Sequence, residues 1–183
     1  ALRLIQQLGL RPRRTLRCVL WTNEENGLRG GIVYRDSLGD GVRSHVAAVE
    51  ADSGMERPVG FGVGVQHADG DSVDSERQAR ALAQAQQIGT LLAGLGAGRI
   101  TAGGGGADIS PLTDAGVPGL GHRTVGEHYM KVHHTPADML DRIDPVELRM
   151  NVAVLAVMVY VLADMPEPLG GGPATPLPAP FPT

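Results

Sequence analysis

The stretch Thr15-Leu16-Arg17-Cys18-Val19-Leu20-Trp21-Thr22-Asn23-Glu24-Glu25-Asn26-Gly27 is the part of the sequence that decides the fold. Residues 15–22 are mostly apolar and β-favouring, which predicts a buried strand. Glu24 and Glu25 follow at its carboxyl end, where open α/β sheets bind their ligands. Adjacent carboxylates repel each other unless a cation, a proton or a basic group intervenes. A metal would take one Glu as a ligand and leave the other to move protons, although a solvated acidic turn is the ordinary alternative for so short a motif.

The composition favours one soluble globular domain. The 183 residues are 42% apolar with a net charge of −4, which is enough for a substantial core. The acidic balance and the aromatic content of 3% argue against nucleic-acid binding. The longest uncharged apolar run, residues 150–163, is too short for a membrane span and predicts a buried helix. The single cysteine, Cys18, lies within the strand pattern and is expected to be a core residue.

Strands alternate with helices along the chain. The predicted helices are 1–9, 28–37, 76–95, 110–116 and 145–164, and the predicted strands are 15–22, 45–51, 59–65, 99–102 and 117–121. This alternation predicts an α/β fold, a sheet with helices on both faces. Residues 1–165 are predicted to form the domain, and the Pro/Gly-rich residues 166–183 a disordered tail.

Potential metal ligands follow three of the predicted strands. Glu24-Glu25 comes after the first and Asp52 after the second, and His133-His134 lies in the loop after the last. Carboxylate and imidazole together suit a hydrolytic zinc ion. Taken alone, Asp52-Ser53-Gly54 is most simply a turn, and the two histidines could be a surface pair. Their convergence on one sheet edge would favour a metal site.

These motifs resemble, in order and spacing, the co-catalytic zinc peptidases of the M28-type family, which includes aminopeptidases and glutamate carboxypeptidases. The resemblance covers about residues 1–165 and implies a three-layer fold with a mixed β-sheet. The matching segments are Asn23 to Gly30, Glu50-Ala51-Asp52-Ser53-Gly54, Gly103 to Asp108, Gly116 to Gly119, His133 to Asp138, and the helix that follows Asp144-Pro145.

The resemblance implies a metal-dependent exopeptidase that hydrolyses dipeptides or short peptides with a zinc-activated water. Glu24 corresponds to the general base. Glu25 and His134 correspond to ligands of one zinc ion, and Asp52 to a ligand of the other. His133 precedes the metal-binding histidine, a position that helps to stabilise the oxyanion in some relatives.

Three further residues are candidates for substrate contact or for supporting the ligands. Asp108 and Tyr129 could take either role or be structural. Asp138 could orient the loop of His134, since a metal-binding histidine usually donates its second N–H to a neighbour.

The family pattern needs two more ligands, a His in a His-x-Asp element and a bridging Asp, and neither precedes Leu4. We therefore expect the N-terminal part of the domain, with the remaining ligands of two zinc ions, to lie upstream of residue 1. The alternative is a catalytically inactive fragment or homologue that acts in protein association. The resemblance suggests a secreted, lysosomal or periplasmic protein, with a peptide substrate and no membrane span, and it leaves a homodimer open.

Overall fold

The computed structural model describes residues 1–68 and 72–171 of the chain. Short 3₁₀ turns follow several of the elements, for example Gly39–Ser44 after the second helix. The helices are α1 (Leu2–Gln7), α2 (Arg29–Leu38), α3 (Ser75–Leu92), α4 (Ser110–Thr113), α5 (Tyr129–Val132) and α6 (Pro145–Asp164), and the strands are β1 (Ala48–Glu50), β2 (Pro58–Gly64), β3 (Arg99–Ala102) and β4 (Gly119–Thr124).

The four strands form one mixed sheet in the order β1-β4-β2-β3. β1 runs parallel to β4 and β3 parallel to β2, while β2 and β4 are antiparallel with Val63 opposite Leu120. Successive side chains of a strand point to opposite faces. Accordingly, Val49 packs with the core formed by α3 and α6, and Ala48 packs with the smaller core that contains Val42 and Leu112. The predicted α/β fold, a mixed sheet with helices on both faces, is confirmed.

The two long helices form as their sequences predict. Asp74 caps α3 by accepting a hydrogen bond from the backbone N–H of Arg77 at 3.1 Å, which satisfies one of the free donors at a helix start. Asp144 caps α6 by accepting from the N–H groups of Val146 and Glu147. α3 buries one stripe of apolar side chains, as an amphipathic helix should, whereas α6 is apolar on most of its surface and buries Val154, Met158 and Leu162.

Helix α6 is longer than the apolar run on which its prediction rested. It has 20 residues, and by length and composition alone it could cross a membrane. However, Asn151, Val154 and Met158 on this helix are fully buried within the folded chain. About 33% of its most apolar stretch is buried, and Val154 and Met158 belong to the main core.

The predicted strand at residues 15–22 is wrong. Among the described residues this segment forms neither helix nor strand and pairs with no strand, and Leu20 is 87% exposed. Cys18, predicted to be in the core, is also exposed. A strand requires a neighbour for its backbone N–H and C=O groups, and the described sheet ends at β1, which pairs only with β4.

The prediction that the disordered tail begins at residue 166 is also wrong. Residues 169–171 form a 3₁₀ turn. Leu169 is 2% exposed and belongs to the main core, and the N–H of Gly170 donates to the Gln84 side chain at 2.8 Å. One buried leucine and this hydrogen bond fasten the segment to α3. The rest of the predicted tail, from residue 172, lies outside the described residues.

Candidate active site

Most of the predicted site residues line one cavity of about 1250 Å³. β1 and β4 are parallel neighbours, so the segments that leave their carboxyl ends meet at the same edge of the sheet. The loop after β1 brings Asp52, and the loop after β4 brings the histidines. Seven of the eight predicted residues line the cavity: Glu24, Glu25, Asp52, Tyr129, His133, His134 and Asp138.

Glu25 and His134 face each other directly. Their Oε1 and Nε2 atoms are 2.7 Å apart, with 68% and 61% of the side chains exposed. His134 has a φ of 58°, a left-handed conformation that is uncommon outside glycine and that often occurs at functional sites. The backbone turn thus presents the imidazole nitrogen to the carboxylate, and two atoms that commonly bind zinc converge at one point.

The aromatic side chains of the same loop are stacked. The rings of Tyr129 and His133 have centroids 4.6 Å apart, and those of His133 and His134 are 3.8 Å apart, both pairs tilted by about 30°. Tyr129 also packs closely on Gly54, where an added Cβ would lie 3.0 Å from Cδ2 of the ring. The stack therefore ties His134 to the loop that follows β1.

Tyr129 is surrounded by negative charge. Burial raises the pKa of its phenol above the ordinary value, and the charges of Asp52, Asp138 and Glu25 raise the pKa further. The phenol is therefore protonated at neutral pH and can donate a hydrogen bond into the cavity. Asp138 contributes this charge, but its only hydrogen bond within the described residues is from its backbone N–H to Thr135. The predicted role of Asp138 in orienting His134 stays a prediction.

A group of carboxylates lies behind the cavity. Asp108 does not line the cavity, but burial, followed by the charges of Glu24 and Asp52, raises its pKa. Its Oδ1 atom is buried without a hydrogen-bond partner in the described part of the chain. A cation beside such a carboxylate would stabilise its charged form.

Glu50 is a buried carboxylate that sequence reasoning missed. It ends β1, is 7% exposed, and accepts the backbone N–H of Ile109 at 2.9 Å. Burial raises its pKa, as do the charges of Asp108 and Asp52. A Cβ at position 106 would lie against the Glu50 carboxylate, so a larger residue there would have to displace that carboxylate. The signal available in the sequence was a charged residue at the end of an otherwise apolar strand, two positions before Asp52.

The side-chain atoms at the site are of the types that bind zinc. Among the described residues, one carboxylate oxygen and one imidazole nitrogen lie together. Carboxylate oxygen and imidazole nitrogen are ordinary zinc ligands, and Glu25 and His134 place one of each together. Within residues 1–68 and 72–171, no group of three His, Cys, Asp or Glu side chains is close enough to hold a metal. Asp52 lines the same cavity without joining the pair.

Comparisons with known proteins find relatives that match most of this chain. The model of peptidase family M28 matches residues 1–159. Carboxypeptidase Q of Mus musculus is 37% identical over 169 residues, and that of Homo sapiens is 35% identical, each alignment covering 92% of this chain and 33% of the relative. A crystal structure of a peptidase M28 precursor from Shewanella amazonensis superposes with a TM-score of 0.77 at 32% identity, covering 95% of this chain and 36% of that one. The chain thus spans about a third of the length of these relatives.

Proposed function

The chain belongs to peptidase family M28, and we propose that its cavity binds a peptide or dipeptide and hydrolyses a terminal peptide bond with the help of zinc. The observation that carries the proposal is the Glu25–His134 pair, whose donor atoms are 2.7 Å apart in a cavity that Glu24 and Asp52 also line. The carboxypeptidase Q relatives support the choice of an exopeptidase.

Glu25 and His134 would hold one zinc ion, and Asp52 would contribute to a second. The other ligands would come from outside the 183 residues, as the sequence resemblance implies. When bound, zinc polarises a carbonyl group and lowers the pKa of water to about 7. This chemistry requires a nearby base that is free of the metal, and Glu24 precedes Glu25 directly.

Glu24 would take the proton from the attacking water and deliver it to the leaving amine. Its half-buried side chain lines the cavity, and its charge acts on Asp108 behind it. A positioned base of this kind accelerates a reaction by about 10²–10⁴-fold. His133 and the protonated phenol of Tyr129 would donate hydrogen bonds to the substrate carbonyl or to its terminal carboxylate.

Hydrolysis of a dipeptide panel by the zinc-loaded protein, with the other ligands in place, tests the proposal. Glu24→Gln should lower kcat by at least ~100-fold, because the amide cannot accept the proton, while zinc binding persists. Glu76→Gln, on the exposed surface of α3, is the matched control and should behave like the wild type. Equal rates for Glu24→Gln and wild type would refute the assignment of the base.

The absence of any hydrolysis by the wild-type chain would favour the alternative, an inactive fragment or homologue that acts in protein association. Several exposed apolar side chains outside the cavity, such as Leu20 and Val33, are compatible with that alternative. Secretion or delivery to a lysosome or periplasm, and a homodimer, stay predictions that rest on the resemblance.

A further inference from the structure

We propose that Glu56 is a positioning residue that fixes the loop of the site histidines against Glu25. The loop, residues 127–134, is called the histidine segment below. The expected effect on zinc binding rests on the proposed function. The hydrogen bonds that support the proposal do not depend on that function. Sequence reasoning gave Glu56 no role.

The Glu56 carboxylate accepts three consecutive backbone N–H groups of the histidine segment. Its Oε2 atom accepts the N–H of Glu127 at 2.9 Å. Its Oε1 atom accepts the N–H of His128 at 2.8 Å and that of Tyr129 at 2.6 Å. Hydrogen bonds to an ionised acceptor are roughly twice as strong as neutral ones. A single side chain, about 70 positions earlier in the sequence, therefore holds the whole start of this segment.

These three N–H groups make no other backbone hydrogen bond in the described part of the chain. Those of His128 and Tyr129 lie at the start of α5, where an α-helix leaves its donors without an internal partner, and that of Glu127 lies just before it. His128, the residue at the N-cap position, makes no side-chain hydrogen bond to cap this helix. Glu56 thus acts as the cap, from a different part of the chain.

Glu56 is itself held by the core. The side-chain amide of Asn151 donates to the backbone carbonyl of Glu56 at 2.8 Å and to that of Met55 at 3.1 Å. Asn151 is fully buried on α6. A continuous set of hydrogen bonds therefore runs from the core helix through Glu56 to the histidine segment.

The position of His134, near the far end of the histidine segment, depends on the backbone at the start of that segment. The N–H of His133 donates to the carbonyl of Tyr129 at 2.8 Å, and the rings of Tyr129, His133 and His134 are stacked. Because Glu56 fixes the backbone at Tyr129, it determines where the His134 imidazole meets Glu25. A loss of this hold would let the two donor atoms drift apart.

The test compares Glu56→Gln, Glu56→Asp and wild type in the full chain. Glu56→Gln loses the charge and presents one acceptor oxygen beside an amide that cannot accept. We expect amide exchange at residues 127–129 to accelerate at least ~10-fold and the zinc dissociation constant to rise by about 10–100-fold, the range for residues that orient metal ligands. Glu56→Asp keeps the charge on a shorter side chain and should fall between the two.

Glu76→Gln is the matched control, since it removes an exposed carboxylate that does not line the cavity and leaves the histidine segment unchanged. It should keep wild-type exchange and wild-type zinc affinity. A purely structural role for Glu56 predicts faster exchange with unchanged zinc affinity in Glu56→Gln, and that result would overturn the positioning role. Unchanged exchange would overturn the contact itself.

Failure of the proposed function gives a different pattern. If the wild-type chain binds no zinc, the peptidase proposal fails, and amide exchange alone then decides whether Glu56 holds the histidine segment. Faster exchange in Glu56→Gln would support that hold without the metal, and unchanged exchange would refute it.

Discussion

The sheet core and the segment at residues 10–28 contain similar apolar side chains in very different surroundings. In the core, Phe61, Val63 and Leu120 are at most 1% exposed. In the segment, Leu20 is 87% exposed, and residues 15–22 pair with no described strand. The difference shows that burial here depends on a neighbouring strand and a covering helix rather than on side-chain type. The site joins the two regions, because Glu25 comes from the segment while Glu56 and Asn151 connect His134 to the core.

The largest expected difference between the two regions is in the free energy of unfolding. Leu120→Ala should lower it by about 2–5 kcal/mol, since the side chain is fully buried and leaves a cavity. Leu20→Ala should change it by no more than about 0.5 kcal/mol. Urea titration of both variants measures this, and a cost of several kcal/mol at Leu20 would show that the segment is packed in solution.

The pH dependence of stability should also come from the core. His122 on β4 is 1% exposed and lies against Phe61, and burial, followed by the charge of Arg123, lowers its pKa from 6.5 to about 4. As the pH falls below 6.5, the unfolded state binds the proton first, so stability falls between about pH 6.5 and pH 4. The total loss of unfolding free energy over this pH range is about 3 kcal/mol.

Urea titrations at pH 7, 5.5 and 4 for wild type and His122→Leu isolate this contribution. The difference in unfolding free energy between the two proteins should change with pH by that amount, with the wild type losing more on acidification. Parallel pH profiles would show that His122 is not buried in the neutral form.

A moderate effect is expected where the core meets the site. Asn151→Ala removes the donor to the carbonyls of Met55 and Glu56, and buried acceptors left unsatisfied cost about 1–3 kcal/mol. Asn26→Ala, an exposed asparagine in the 10–28 segment, is the control and should change the urea midpoint little. Equal urea midpoints for the two variants would refute the proposed connection between α6 and the histidine segment.

The smallest effect is expected beside Glu25. Leu28 has a φ of 57°, a conformation that costs a residue with a Cβ roughly 1–2 kcal/mol. Glycine avoids this cost, but its greater conformational freedom stabilises the unfolded chain by about 0.4–1 kcal/mol. Leu28→Gly should therefore be more stable than Leu28→Ala by up to about 1 kcal/mol in urea titration. A more stable Ala variant would mean that the turn before α2 adopts another backbone conformation.

The sequence predicted those parts of the molecule that depend on local pattern. Helices α3 and α6 carry caps and apolar spacing within a single segment. Asp52 and His134 share a cavity because β1 and β4 are parallel neighbours, and from the sequence we expect these ligands to meet at one edge of the sheet. Pattern alone could not show that residues 15–22 lack a neighbouring strand in the described sheet.

The residues that sequence reasoning missed act through distant backbone groups. Glu56 binds N–H groups about 70 positions away, and Glu50 binds the N–H of Ile109. Such contacts leave no periodic pattern, because any carboxylate at a suitable place in the fold could make them. In the same way, the contacts of Leu169 with the core could not be read from the surrounding Pro and Gly residues.

Zinc titration of the full chain tests the central claim, that Glu25 and His134 together hold a metal ion. We predict that wild type binds zinc and that Glu25→Ala and His134→Ala each weaken binding by more than roughly 100-fold, beyond the loss expected for an outer residue. His67→Ala, a partly exposed histidine that is not among the residues lining the cavity, should match the wild type. Equal affinity in wild type and both ligand variants would contradict the account.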